Sequence, residues 1–190
     1  MITSRYKFAL DFVWRVCSSP DETLQYESLL NTFYGKNVFK KFIMPLAEIL
    51  LIVGFVFSFF WIEMEMTYRL IRIFFDYIAF LMSYCVLFWV VRLVTFRFFT
   101  NEVSNRNFSI LVASLMVVVF VVKFLQLLLP NMFFISFFYV YVFYLVWLMS
   151  EGLVDISEDN RNKYMVYVSF FVIGLPYVIN LLLEKMVPNL

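Results

Sequence analysis

Histidine is absent from this chain, and with it goes the commonest general base and a frequent metal ligand. The two cysteines, Cys17 and Cys85, lie in different segments and form no CxxC pair, so a thiolate metal site is not expected. No glycine-rich phosphate loop, nucleophile elbow or HExxH motif occurs. The expectation is a protein that is not an enzyme and needs no cofactor or metal. Charge is scarce as well: 15% of residues are charged, the formal net charge is +1, and no block of like charges suggests a nucleic-acid footprint.

What the chain has instead is apolar surface. Hydrophobic residues make up 64% of it, where soluble domains carry roughly half. The charges fall between long runs rich in Phe, Val, Leu, Ile and Tyr, the pattern of repeated membrane crossing. Five stretches meet or nearly meet the roughly 20 residues that a helix needs to span the hydrocarbon core. They run from about Phe42 to Ile62, Ile73 to Phe96, Phe108 to Leu129, Met132 to Ser150 and Tyr164 to Leu183. Membrane β-barrels require alternation over about ten residues, and these runs are apolar on all sides. The sequence therefore predicts an all-α, polytopic membrane helix bundle of about five transmembrane helices, with the lipid bilayer as its first partner. Residues 1–41 read as a cytoplasmic or interfacial helical segment, 42–183 as the bundle and 184–190 as a short tail. Pro130 and Asn131 alone separate the third and fourth spans, which must then be neighbours in a tight hairpin.

Orientation follows from Lys and Arg, which collect on cytoplasmic flanks. With the N-terminus inside, the inner flanks hold Arg5, Lys7, Arg15, Lys36, Lys40, Lys41, Arg92, Arg97, Arg106, Arg161 and Lys163, and the outer flanks only Arg69, Arg72 and Lys185. An N-in, multi-pass arrangement is expected, in the cytoplasmic (inner) membrane if the source is bacterial. The first 41 residues offer no apolar run long enough for a cleaved leader, so the first span is expected to act as its own insertion signal.

Before that span, Phe8, Phe12 and Trp14 to Val16 alternate with Lys7, Asp11 and Arg15 at helical spacing, which predicts an interfacial amphipathic helix. Ser19, Pro20 and Glu22 follow as N-cap, first helical residue and capping-box glutamate. They predict a second helix with apolar positions at Leu24, Leu29, Leu30 and Phe33 and a stop near Tyr34-Gly35.

Ionisable groups within spans cost roughly 2.5–3.5 kcal/mol at a helix centre, so each needs a partner or a role. Glu48, Asp76, Arg92 and Lys123 are the candidates. Expected depths place Glu48 with Arg92 in one leaflet, and Asp76 with Lys123 or Arg72 in the other, lining a polar interior. The competing reading has Lys123 and Arg92 snorkelling to headgroups while the acids tie helices together. Gly174 and Pro176 are candidate kink residues in the fifth span, with Asn180 one turn beyond. A broken helix can build a substrate site, although a lone kinked span is more often simple packing. The aromatic stripe Phe134, Phe137, Phe138, Tyr141, Tyr144 and Trp147 reads as lipid contact, packing and interface anchoring.

Two motifs are set aside. Asp155 to Asp159 begins like a calcium loop, but Asn160 replaces its glycine and Val166 its bidentate glutamate. The acceptor triplet Asn107-Phe108-Ser109 falls on the expected cytoplasmic side.

The order of features carries a resemblance. Cys17-Ser18-Ser19-Pro20, a small helix, and Val38-Phe39-Lys40-Lys41-Phe42-Ile43-Met44-Pro45-Leu46 entering the first span are similar to the Yip family of Rab-interacting membrane proteins, particularly its bacterial branch. The stretch from Leu129-Pro130 through Tyr141, Tyr144 to Trp147, Gly152 and Lys163-Tyr164 resembles that family too. The Asp-Leu-Tyr-Gly-Pro signature of eukaryotic members is missing and the third span lacks an expected early proline, so Rab binding does not transfer. The resemblance implies a non-enzymatic scaffold or adaptor that binds a protein partner at the cytoplasmic face or organises membrane. The alternative is a small transporter or channel using the four intramembrane charges. Partner identity and oligomeric state are not encoded in any recognisable motif.

Overall fold

A computed structural model describes residues 2–25, 38–59, 66–98, 103–129 and 132–185. Helices dominate the described residues, and no strand occurs among them. Helix α1 (Ile2–Ser18) is followed by α2 (Pro20–Gln25). A π-helical turn, Phe39–Ile43, leads into α3 (Met44–Ser58). Then come α4 (Met66–Phe98) and α5 (Asn105–Leu128). A 3₁₀ segment, Phe133–Tyr139, opens into α6 (Val140–Gly152), and α7 (Glu158–Lys185) completes the set. Among the described residues five helical stretches are long and apolar enough to cross a bilayer, and the chain is a multi-pass membrane protein.

Span boundaries differ from the hydropathy reading in instructive ways. The first span begins at Phe39 because a π turn precedes Pro45, with the Met44 amide reaching back to the Phe39 carbonyl. A proline ring clashes with the carbonyl four residues earlier in a regular α-helix, and a widened turn relieves that clash. The second span is the 33-residue α4, about 50 Å long and therefore longer than the roughly 30 Å hydrocarbon core. Its polar ends, Arg69 and Arg72 at one and Arg97 at the other, are helical too. The second small helix starts at Pro20 as expected; its continuation beyond Gln25, the Pro130-Asn131 turn and the tail after Lys185 lie outside the described residues.

At the centre stands α5, which touches α1, the π turn, α3, α4, the 3₁₀ segment, α6 and α7. Residues 111–116 are all fully buried, the polar Ser114 among them, as suits a helix surrounded by other helices. Ser104 caps it by accepting from the Asn107 amide at 3.2 Å, and the Asn107 side chain donates to the Leu153 carbonyl at 3.0 Å. That bond ties the start of α5 to the turn after α6, and a glycan on the nitrogen would crowd it. In the same turn Asp155 takes a left-handed backbone, φ 55°. Ser157 then accepts the first amides of α7, with Glu158 and Asp159 in its first turn. The acidic stretch that opens like a calcium loop is thus a helix start, its carboxylates complementing the helix dipole.

Helix α4 is held from both sides. Against α3, a Cβ added to Gly54 would lie 3.1 Å from Cγ2 of Ile73, and Arg69 donates to the Ser58 carbonyl at 2.6 Å, neutralising the end of α3. Replacing Gly54 with leucine is expected to push the two helices apart and cost about 1–3 kcal/mol, read as a lower melting temperature in detergent. Against α7, Thr95 and Tyr164 share a buried hydrogen bond of 3.0 Å.

Gly174 and Pro176 lie within α7, which continues helically through both. Pro176 is buried, whereas a Cβ on Gly174 would meet nothing within 4 Å. Gly174→Ala should therefore be tolerated and should raise the melting temperature slightly, by about 0.5–1 kcal/mol of helix preference. A loss of stability would mean that this glycine serves a bend.

Candidate functional site

Helix α1 is fused to the bundle rather than standing beside it. Ala9, Phe12 and Val16 belong to the same core as α3 and α5, and Phe12 meets Phe42 edge-on with ring centroids 4.9 Å apart. Three polar contacts fasten it. Arg5 donates to the Lys40 carbonyl at 3.0 Å, the Tyr6 hydroxyl donates to Oε2 of Glu48 at 2.5 Å, and the Tyr141 hydroxyl donates to the Val16 carbonyl at 2.7 Å. Tyr141 thus satisfies a carbonyl that the end of α1 would otherwise leave open.

Glu48 therefore takes Tyr6, not Arg92 as the sequence suggested. Arg92 sits over the Phe96 ring, 5.4 Å from its centroid, and no ion pair joins it to Glu48 among the described residues. Register explains the difference. Antiparallel contacts of Gly54 with Ile73 and of Ser58 with Arg69 bring Glu48 level with the region of Ala79. From there Arg92 is roughly 20 Å further along α4 at the helical rise.

The bond to Glu48 raises the Tyr6 pKa above its ordinary 10.0, chiefly because the phenol donates to the carboxylate, with desolvation and the nearby negative charge adding and Arg5 opposing. The folded protein thus holds this proton more tightly than the unfolded chain. Its contribution is complete below pH 10.0 and fades as pH rises through the folded value. Thermal melts at increasing alkaline pH are expected to show a loss of stability in the native chain that Tyr6→Phe reduces.

The second pair forms. Lys123 on α5 places Nζ 3.1 Å from Oδ1 of Asp76 on α4, with side chains 18% and 32% exposed. Both line a cavity of about 360 Å³ between the ends of α3, α4, α5, the 3₁₀ segment and α7. Arg72, Tyr77, Gln126, Ser136 and Asn180 are its other polar residues, and Leu50, Ile73, Leu127 and Phe133 are among its apolar walls. Neither Glu48 nor Arg92 lines it. Gln126 is a cavity residue that a search for charges passes over, though it stands one turn from Lys123. The aromatic stripe is largely outward-facing, with Phe134, Phe137 and Phe138 exposed, as a lipid-facing surface requires. Tyr141 is the exception, and Trp147 also receives the Arg161 guanidinium 5.0 Å from its centroid while Arg161 pairs with Glu151 at 3.0 Å.

In comparisons with known proteins, no family model matches the chain, and neither a curated protein nor a solved structure matches it.

Proposed function

We propose that this is a non-enzymatic membrane scaffold or adaptor of the Yip-like kind, with its N-terminus in the cytoplasm and α1 as its partner-binding face. The observation that carries the reading is the division of α1 into three faces. Ala9, Phe12 and Val16 face the bundle, Leu10 and Trp14 are exposed apolar residues, and Lys7, Asp11 and Arg15 form a charged strip joined by the 3.0 Å Asp11–Arg15 pair. Trp14 is 72% exposed on a helix held rigidly by its other side. Such a helix suits the membrane interface, where the apolar face meets lipid and the charged strip meets water. A fixed strip of charge loses little side-chain freedom on meeting a partner. The transporter alternative draws support from the cavity only in part, since Glu48 and Arg92 lie away from it.

A photocrosslinking residue at Lys7 or Asp11 in the full chain tests the reading in its native membrane. A discrete protein adduct that disappears on Arg15→Glu supports an adaptor; adducts to lipid alone overturn it. Cysteines introduced at Asn131 and Asn160, in a background lacking Cys17 and Cys85, test the orientation. Labelling of Asn160 from the cytoplasmic side and of Asn131 from the opposite side is expected.

A further inference from the structure

We propose that the cavity around Lys123 binds a phosphate-type anion, carried there on the headgroup of an anionic lipid. This does not depend on the adaptor reading, which rests on α1, no residue of which lines the cavity. Three observations meet at the cavity. The first is charge: its described lining holds the cations Arg72 and Lys123 and the single carboxylate of Asp76. An ammonium has three donor hydrogens and Lys123 directs one to Asp76, so the group can serve an anion as well.

The second is hydrogen-bonding capacity. Gln126 and Asn180 line the cavity, and no side-chain hydrogen bond joins either to another described residue. Polar groups at membrane depth that lack a protein partner call for one from elsewhere. At about 360 Å³ the space is of small-ligand size, well beyond the share of a few water molecules.

The third is location. Lys123 and Asn180 each stand five residues before the ends of α5 and α7 at Leu128 and Lys185, about 8 Å at the helical rise. With α5 about 36 Å long against a hydrocarbon core of roughly 30 Å, that depth lies about 5 Å below the headgroup boundary, where a phosphate can be reached only through the cavity. Phe133 lines the cavity and is yet 82% exposed, so the cavity meets the lipid-facing surface at the aromatic 3₁₀ segment. A lipid can thus present its phosphate to Lys123 and Asn180 while its chains lie along the exposed phenylalanines. Asp76, held by Lys123, disfavours an anion that approaches from its own side, and directs it toward the amides.

The test uses the full chain in nanodiscs containing equal amounts of phosphatidylglycerol and phosphatidylcholine, with retained lipid read by native mass spectrometry. Phosphatidylglycerol is expected to be retained in preference. Asn180→Leu and Gln126→Leu, which keep the Asp76–Lys123 pair, should each lower that retention roughly tenfold, as for a hydrogen bond to a charged group. Melting temperature of each variant in detergent shows that it remains folded. In a separate arm, inorganic phosphate stabilising the native chain but not Asn180→Leu would support the anion site and assign it to a soluble anion. Equal retention of both lipids with no response to phosphate, or retention unchanged in both folded variants, would overturn the proposal.

Discussion

Replacing Phe12 with alanine is expected to destabilise the whole bundle by about 3–5 kcal/mol, lowering its melting temperature in detergent by on the order of 10 °C. Phe12 is 1% exposed, packs edge-on against Phe42, and shares a core with Ala9, Val16 and Leu46. Its removal leaves a ring-sized cavity between α1 and the π turn, where Pro45 already constrains the backbone and collapse is difficult. Trp14→Ala on the exposed side of the same helix is the control, with little change expected in melting temperature. The same reasoning bears on truncation. Removing residues 1–35 would uncover Phe42, take the donor from Glu48 and leave the Tyr141 hydroxyl without its acceptor, so loss of partner binding in such a truncation would report misfolding. Point changes on the charged strip avoid that confusion. Equal melting of Phe12→Ala and the native chain would mean that α1 is detached from the core in the folded protein.

Lys123→Met is expected to cost about 2–3 kcal/mol, because it leaves the Asp76 carboxylate without its partner inside the membrane domain. The figure is set below the 3–5 kcal/mol typical of a fully buried broken pair, since both side chains are partly open to the cavity. Asp76→Asn in the Lys123→Met background removes the stranded charge and should recover most of the loss. A double-mutant cycle on melting temperature reads the coupling directly. Strict additivity of the two single changes would mean that the pair contributes nothing and that each charge is separately solvated.

These two expectations differ in how far the chain alone foretold them. Membrane insertion is decided locally, by the summed transfer preference of about 20 consecutive residues, so the five spans and the all-α class could be read from composition along the chain. The same depth reasoning narrowed Asp76 to Lys123 or Arg72, since groups far apart along the membrane normal cannot pair. Helix ends were less accessible. The π turn before Pro45 and the polar extension of α4 beyond its apolar run depend on backbone hydrogen bonding that hydropathy does not register.

Partner choice was a matter of register and packing. Glu48 and Arg92 looked like one leaflet's pair until the contacts of Gly54 and Ser58 set α3 against α4 and left Arg92 far along the helix. No local pattern announces that Tyr6 reaches a residue 42 positions away, or that Tyr141 reaches one 125 positions away. Amphipathic spacing gave α1 an apolar face without saying whether lipid or protein would cover it. The sequence by itself determined how many helices enter the membrane and which residues must be polar at depth, because those follow from the free energy of each segment in lipid. Only the tertiary structure decided which helix covers α1, which charge meets Asp76 and where a cavity remains, because these depend on how side chains from distant segments interlock.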